Sequence, residues 1–127
     1  MFRPKKARLV DTTDPIITAN YHALLADDVD ILFVGENVAG QKVIGSSVEY
    51  DKRWHADRYF HVIVTDQEMS NYRSGATSYR EILEAARPLY VVDRSSTGCR
   101  VYSYLLSEIP EEYYPTRDTY FRPEWAE

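Results

Sequence analysis

Twice between Thr65 and Glu81 the chain carries the same helix-start signal, within a sequence that otherwise alternates at period two. Thr65-Asp66-Gln67-Glu68 and Ser78-Tyr79-Arg80-Glu81 each place a hydroxyl residue three positions ahead of a glutamate. At that spacing the hydroxyl accepts from the amide of the third helical residue, and the glutamate reaches back to the cap amide. The two boxes predict two short helices, the first stopping near Gly75 and the second ended by Pro88. Tyr79, Ile82, Leu83 and Ala86 form one apolar stripe on the second. Helical punctuation confined to residues 65–88, with strand-like runs on both sides, directs the chain to an α+β fold.

The flanking runs supply the strands. Asp30-Ile31-Leu32-Phe33-Val34-Gly35 reads as a buried strand, Glu36 to Gly40 as a turn, and Gln41 to Tyr50 as the second arm of a hairpin. Ile44, Val48 and Tyr50 are expected on one face of that arm. Gly45, Ser46 and Ser47 are poor strand formers, which points to a bulge or a close approach by another element. Arg58 to Thr65 carries bulk on both faces, as a central strand does. Leu89 to Asp93 and Cys99 to Leu106 complete a second hairpin around Arg94 to Gly98. The expectation is a five-stranded, mainly antiparallel sheet in the order β-β-β-α-α-β-β. Asp14-Pro15 reads as an N-cap followed by proline at the first helical position, so a short N-terminal helix is expected over residues 15–26, with a strand at Ile16-Ile17-Thr18 as the alternative. Residues 1–13 read as a basic irregular arm and 107–127 as an irregular aromatic tail, all within a single domain spanning 1–127.

At 127 residues, with 44% hydrophobic and 28% charged side chains, the chain has enough apolar mass for one core and too much for a disordered segment. Its apolar runs fall far short of the roughly 20 residues that span a bilayer, so no membrane association is expected. No apolar segment follows the basic start at Met1 to Arg8, so no secretory signal is expected. Cys99 is the one cysteine, which forbids an intrachain disulfide and fits a reducing, cytoplasmic setting. The net charge of -5 repels a phosphate backbone, so nucleic acid is not an expected partner apart from a contact by the basic residues 1–8.

Chemical constellations are weak. His55, Asp57 and His61 share parity, but the two histidines stand six residues apart, roughly 20 Å along a strand. One metal with bonds near ~2 Å does not join them. Cys99 lacks a neighbouring base. Asp27-Asp28 and Glu111-Glu112 are sequence neighbours, so they point apart in a strand. No glycine-rich loop opens a helix. The expectation is therefore no catalytic residue, no metal ligand set and no cofactor.

Tyrosine stands out, with 11 residues. Its apolar body and polar tip suit interfaces. Tyr113, Tyr114, Tyr120, Phe121 and Trp125 lie in the tail with Arg117 and Arg122 interleaved, the residue types that concentrate interface energy. The first expectation is thus a non-enzymatic interaction module that binds a protein partner or itself through these seven residues. The alternative is a small-ligand or nucleotide-binding domain using Ser46, Ser47, Trp54 and His55. A metal-dependent hydrolase or nuclease built on His55, Asp57 and His61 ranks last.

Ile31-Leu32-Phe33, Asp57-Arg58-Tyr59-Phe60 leading into Val62-Ile63-Val64, Ser78 to Leu83, Leu89 to Asp93, and Ile109 to Pro115 together resemble a family of small bacterial α+β domains of unknown function. The resemblance spans roughly residues 28–115. It implies the element order and a bacterial setting, and it implies no activity.

Overall fold

The structure is a computed structural model describing residues 8–10, 18–26, 31–52, 55–96 and 98–115. It is α+β, as expected, with an antiparallel sheet. Among the described residues the strands number seven rather than five: β1 (Arg8–Val10), β2 (Thr18–Ala26), β3 (Ile31–Asn37), β4 (Lys42–Asp51), β5 (Ala56–Val64), β6 (Leu89–Ser95) and β7 (Gly98–Tyr104). Helices α1 (Asp66–Arg73) and α2 (Tyr79–Ala85) are inserted between β5 and β6. The spatial order is β1-β7-β6-β5-β4-β3-β2, so β2 to β7 form one continuous meander and β1 adds to its far edge.

Two expectations at the N-terminus are corrected. Residues 18–26 form a strand paired with β3, not a helix. Tyr21, Leu24 and Leu25 fit helical spacing, but short apolar runs are ambiguous in period, and ladder pairing decides. Residues 8–10 are likewise a strand, pairing with Cys99 to Val101, where an irregular arm was expected.

Both capping boxes form. The Thr65 hydroxyl accepts from the Glu68 amide, and Glu68 accepts from the Thr65 amide at 2.9 Å. Ser78 and Glu81 repeat the exchange at the head of α2. Past α1, Gly75 takes a φ of +81°, a conformation that side-chain-bearing residues rarely adopt.

β5 is the fourth of the seven strands, the central position its two-sided bulk implied. Phe60, Val62 and Val64 join Leu32, Val34, Ile44, Leu89, Val91, Tyr102 and Tyr104 in the main core, sealed by Tyr72, Tyr79, Ile82 and Leu83 of the helices. On the opposite face Phe33, Val43, His61 and Val92 are also buried, so neither face of the central strands is left bare. Val92, Cys99 and Val101 form a second, smaller cluster there.

The Gly45 signal has two causes. A bulge between Ser47 and Glu49 shifts the β4–β5 register. It also reverses parity, so Tyr50 is half exposed opposite Asp57 and does not share a face with buried Ile44. The close approach is made by Phe33, whose ring lies where a Gly45 Cβ would stand, 2.3 Å away.

Across the sheet the inner face carries an ion network. Arg58 and Asp93 are register partners on β5 and β6, and Glu49 reaches Arg58 at 2.6 Å. Burial, and next the Asp93 carboxylate, push the Tyr102 hydroxyl above its ordinary pKa. Buried Arg58 and Asp93 make this network an internal tie between strands. Among the described residues no helix is long and apolar enough to cross a membrane.

Candidate functional site

The sheet ends at β2, which among the described residues has a strand on one side only. Its nine residues, Thr-Ala-Asn-Tyr-His-Ala-Leu-Leu-Ala, contain no proline and no lysine, arginine or acid. Edge strands of soluble proteins are usually guarded by charge, proline, bulges, brevity or cover, because their open backbone groups accept another strand. Register shifts between Thr18 and Asn20 and between Ala23 and Leu25 bend the two ends, leaving Asn20–Ala23 as the regular run. Tyr21, in the middle of it, is 60% exposed.

β2 is held closely against β3. A Cβ on Gly35 would stand 2.1 Å from the Asn20 carbonyl oxygen, so glycine is required at that crossing. The Tyr21 ring packs against Phe33 with centroids 5.4 Å apart, and Phe33 in turn meets His61 at 5.3 Å. This row of rings fixes the edge strand to the sheet centre.

Beside the edge runs a groove of about 450 Å³. Asn20, Tyr21 and His22 of β2 form one wall, and Met69 and Arg73 of α1 face them. Val34 and Gly35 of β3 also line it, with Glu36 and Lys42 at the β3–β4 turn. Lys42 lies 3.8 Å from Asp66, but both side chains are well exposed and such a pair contributes little. A groove bounded by an edge strand and a helix can take an extended chain, whose backbone pairs with the strand while alternate side chains enter the groove.

The residues singled out from sequence are scattered. Ser46 is buried under α2, its hydroxyl 2.9 Å from that of Tyr79, whereas Ser47 belongs to the opposite face beside Tyr59. His55, at a φ of 52°, meets the Tyr50 hydroxyl at 3.3 Å. Trp54 lies outside the described residues. The structure therefore does not gather Ser46, Ser47 and His55 into one pocket. Asp57 is exposed while His61 is buried against Phe33 and Tyr59, and among the described residues no group of three potential ligands is close enough to hold a metal. Cys99 pairs with Arg94 and His61 with Tyr90, roughly 13 Å apart along β6 at 3.3 Å per residue.

In the tail, Tyr113 and Tyr114 pack on the main core. The Tyr114 hydroxyl donates to the Leu106 carbonyl at 2.6 Å, and Arg80 stacks on its ring at 4.5 Å. These two tyrosines thus dock on their own domain. Arg117, Tyr120, Phe121, Arg122 and Trp125 lie outside the described residues, as does the basic arm before Arg8. The sequence reading missed the edge strand and the groove, and its only trace was the uncharged run at residues 18–26.

Comparison with protein-family models, curated proteins and solved structures finds no match to this chain.

Proposed function

We propose that the chain is a non-enzymatic protein-interaction module, a subunit or regulator of a larger bacterial assembly, which takes an extended segment of its partner as an added strand on β2. One observation carries the reading: a nine-residue edge strand without charge or proline, bordered by a groove against α1. Main-chain pairing supplies affinity in this mode, and the side chains that enter the groove supply selectivity. The lone, buried Cys99 fits a reducing, cytoplasmic setting.

The test is Ala23→Lys. Ala23 is exposed on β2, so a lysine there is tolerated by the fold and is the guard that natural edges use. Hydrogen exchange of the Asn20–Ala23 amides is expected to slow when partner is added to the wild type and to stay unchanged in the variant. Equal partner binding by both proteins would refute strand addition.

A second reading is favoured by the groove itself, whose volume of about 450 Å³ suits a small ligand. A thermal-shift screen over nucleotides separates the two. A ligand at 100 times its Kd stabilises by about 2.7 kcal/mol, whereas a pure strand-addition site shows no such shift.

A further inference from the structure

We infer that β1 is a clasp: by pairing with β7 at the end of a short connection to β2, it draws the two edges of the sheet together, and its release lets the sheet open. Every neighbouring pair in the order β1-β7-β6-β5-β4-β3-β2 is antiparallel, so after six such steps β1 and β2 run in the same direction at opposite edges. β1 ends at Val10 and β2 begins at Thr18, which leaves residues 11–17, seven in all, to join them. A crossover between parallel strands ordinarily takes a dozen or more residues. The register gives the distance to be covered. Val10 pairs with Cys99, Cys99 with Arg94 and Arg94 with Asp57, so Val10 is level with Asp57 near the start of β5. Thr18 pairs with Asn37, one residue past Glu36, and Glu36 pairs with Lys42, which pairs with Val64. Asp57 and Val64 are seven residues apart and Thr18 stands one step further, so the offset along the strands is eight residues.

In a flat sheet, six strand spacings of ~4.8 Å and eight residues of ~3.3 Å would separate Val10 from Thr18 by roughly 39 Å. Eight Cα steps of extended chain reach at most about 29 Å. The β1–β7 pairing and the connection to β2 therefore coexist only in a sheet curled so that its edges approach. The right-handed twist of the strands sets the hand of that curl, and the tether sets its least extent. β1 is the weaker anchor: it has three residues, paired with β7 alone among the described residues, whereas β2 has nine and a longer ladder to β3. β1 is thus the end that lets go. Its release leaves Cys99–Val101, and with them the buried Cys99, on an open edge strand, and it frees the β2 edge from the tether.

The test uses the full chain and two readouts. Spin labels on Ala23→Cys in β2 and Ser103→Cys in β7, in a Cys99→Ala background, report the separation of the two sides of the sheet by pulsed electron resonance. Both positions are exposed, and they lie on one register row that runs through Phe33, Gly45, His61 and Tyr90. Inserting a short glycine-serine run between Thr13 and Asp14 is expected to lengthen the distance by about one strand spacing, ~4.8 Å, or more. Leu9→Pro, which removes an amide from β1, is expected to do the same. Far-UV circular dichroism confirms that the variants are folded, and the insertion decides the matter should Leu9→Pro fail to fold. An unchanged distance in the insertion variant would overturn the clasp, because the curl would then be set by the strands and helices alone. In the wild type, Cys99 is the sole cysteine and reports release directly. It is expected to react with a thiol reagent through an opening whose urea dependence is much shallower than that of global unfolding. Labelling with the urea dependence of global unfolding would show that β1 has no release of its own, and that too would overturn the inference.

Discussion

Arg58 and Asp93 face each other across β5 and β6 in a two-point pair, with Nε donating to Oδ1 at 2.7 Å and the second guanidinium nitrogen donating to Oδ2 at 2.9 Å. Both side chains are buried, and Glu49 takes the remaining terminal nitrogen at 2.6 Å. A buried pair returns its desolvation cost only while every member keeps its partners. Asp93→Ala is therefore expected to cost about 3–5 kcal/mol, since it leaves Arg58 buried with one carboxylate. Urea denaturation reads the loss. Arg58→Lys is expected to be destabilising too, because an ammonium cannot serve Asp93 at two points. A loss below about 1 kcal/mol in Asp93→Ala would mean that the pair is not a structural tie.

Gly35 governs the attachment of β2. An added methyl meets the Asn20 carbonyl oxygen at 2.1 Å and the Tyr21 Cα at 2.7 Å, and backbone atoms cannot swing aside as a side chain does. Gly35→Ala is expected to cost about 1–3 kcal/mol. The damage should concentrate in β2, with faster hydrogen exchange at Asn20–Ala23. Uniform loss across all strands, with β2 no worse than β5, would argue against this account.

What the sequence made legible was local. Thr65 with Glu68, and Ser78 with Glu81, specify their helices through contacts three residues apart, so no tertiary information is needed. The Gly45 anomaly was visible, but its cause, the Phe33 ring from the neighbouring strand, depends on register. The Arg8–Val10 strand is too short to show a period, and only its pairing with β7 defines it. Residues 18–26 carry apolar side chains compatible with either period, and partner β3 decides between them. The groove inherits that ambiguity, because one wall is this same misread segment and its charged residues come from positions 36, 42 and 73. A site assembled from the one element whose period is ambiguous leaves only that element's uncharged run as a trace in the sequence.

Ser46 and Tyr79 provide a cycle that separates hydrogen bonding from packing. Their hydroxyls meet at 2.9 Å inside the core, linking β4 to α2. Ser46→Ala leaves a fully buried phenol without that partner and is expected to cost about 1–3 kcal/mol. Tyr79→Phe is expected to cost a similar amount through the Ser46 hydroxyl. The double variant should be less destabilised than the sum of the two, because neither hydroxyl then remains to be satisfied. Strict additivity in chemical denaturation would show that the contact contributes nothing.

The buried tyrosines make the protein sensitive to alkali. Burial pushes Tyr72 up to about 12 and pushes Tyr79 up as well, the Ser46 hydroxyl partly opposing it. Unfolded tyrosine ionises near ~10. Each raised value favours the neutral phenol in the folded state, so its contribution is fully present below pH ~10 and is lost as pH rises through the folded pKa. Tyr59 and Tyr102 are raised too, so all four act in the same direction. Stability from urea melts is expected to lose its tyrosine contribution progressively between about pH 10 and pH 12. Tyr72→Phe removes one titrating group and should flatten that decline, even if it lowers stability at neutral pH. A wild-type curve that stays level to pH 12, or a variant curve as steep as the wild type, would show that Tyr72 ionises as freely in the folded chain as in the unfolded one.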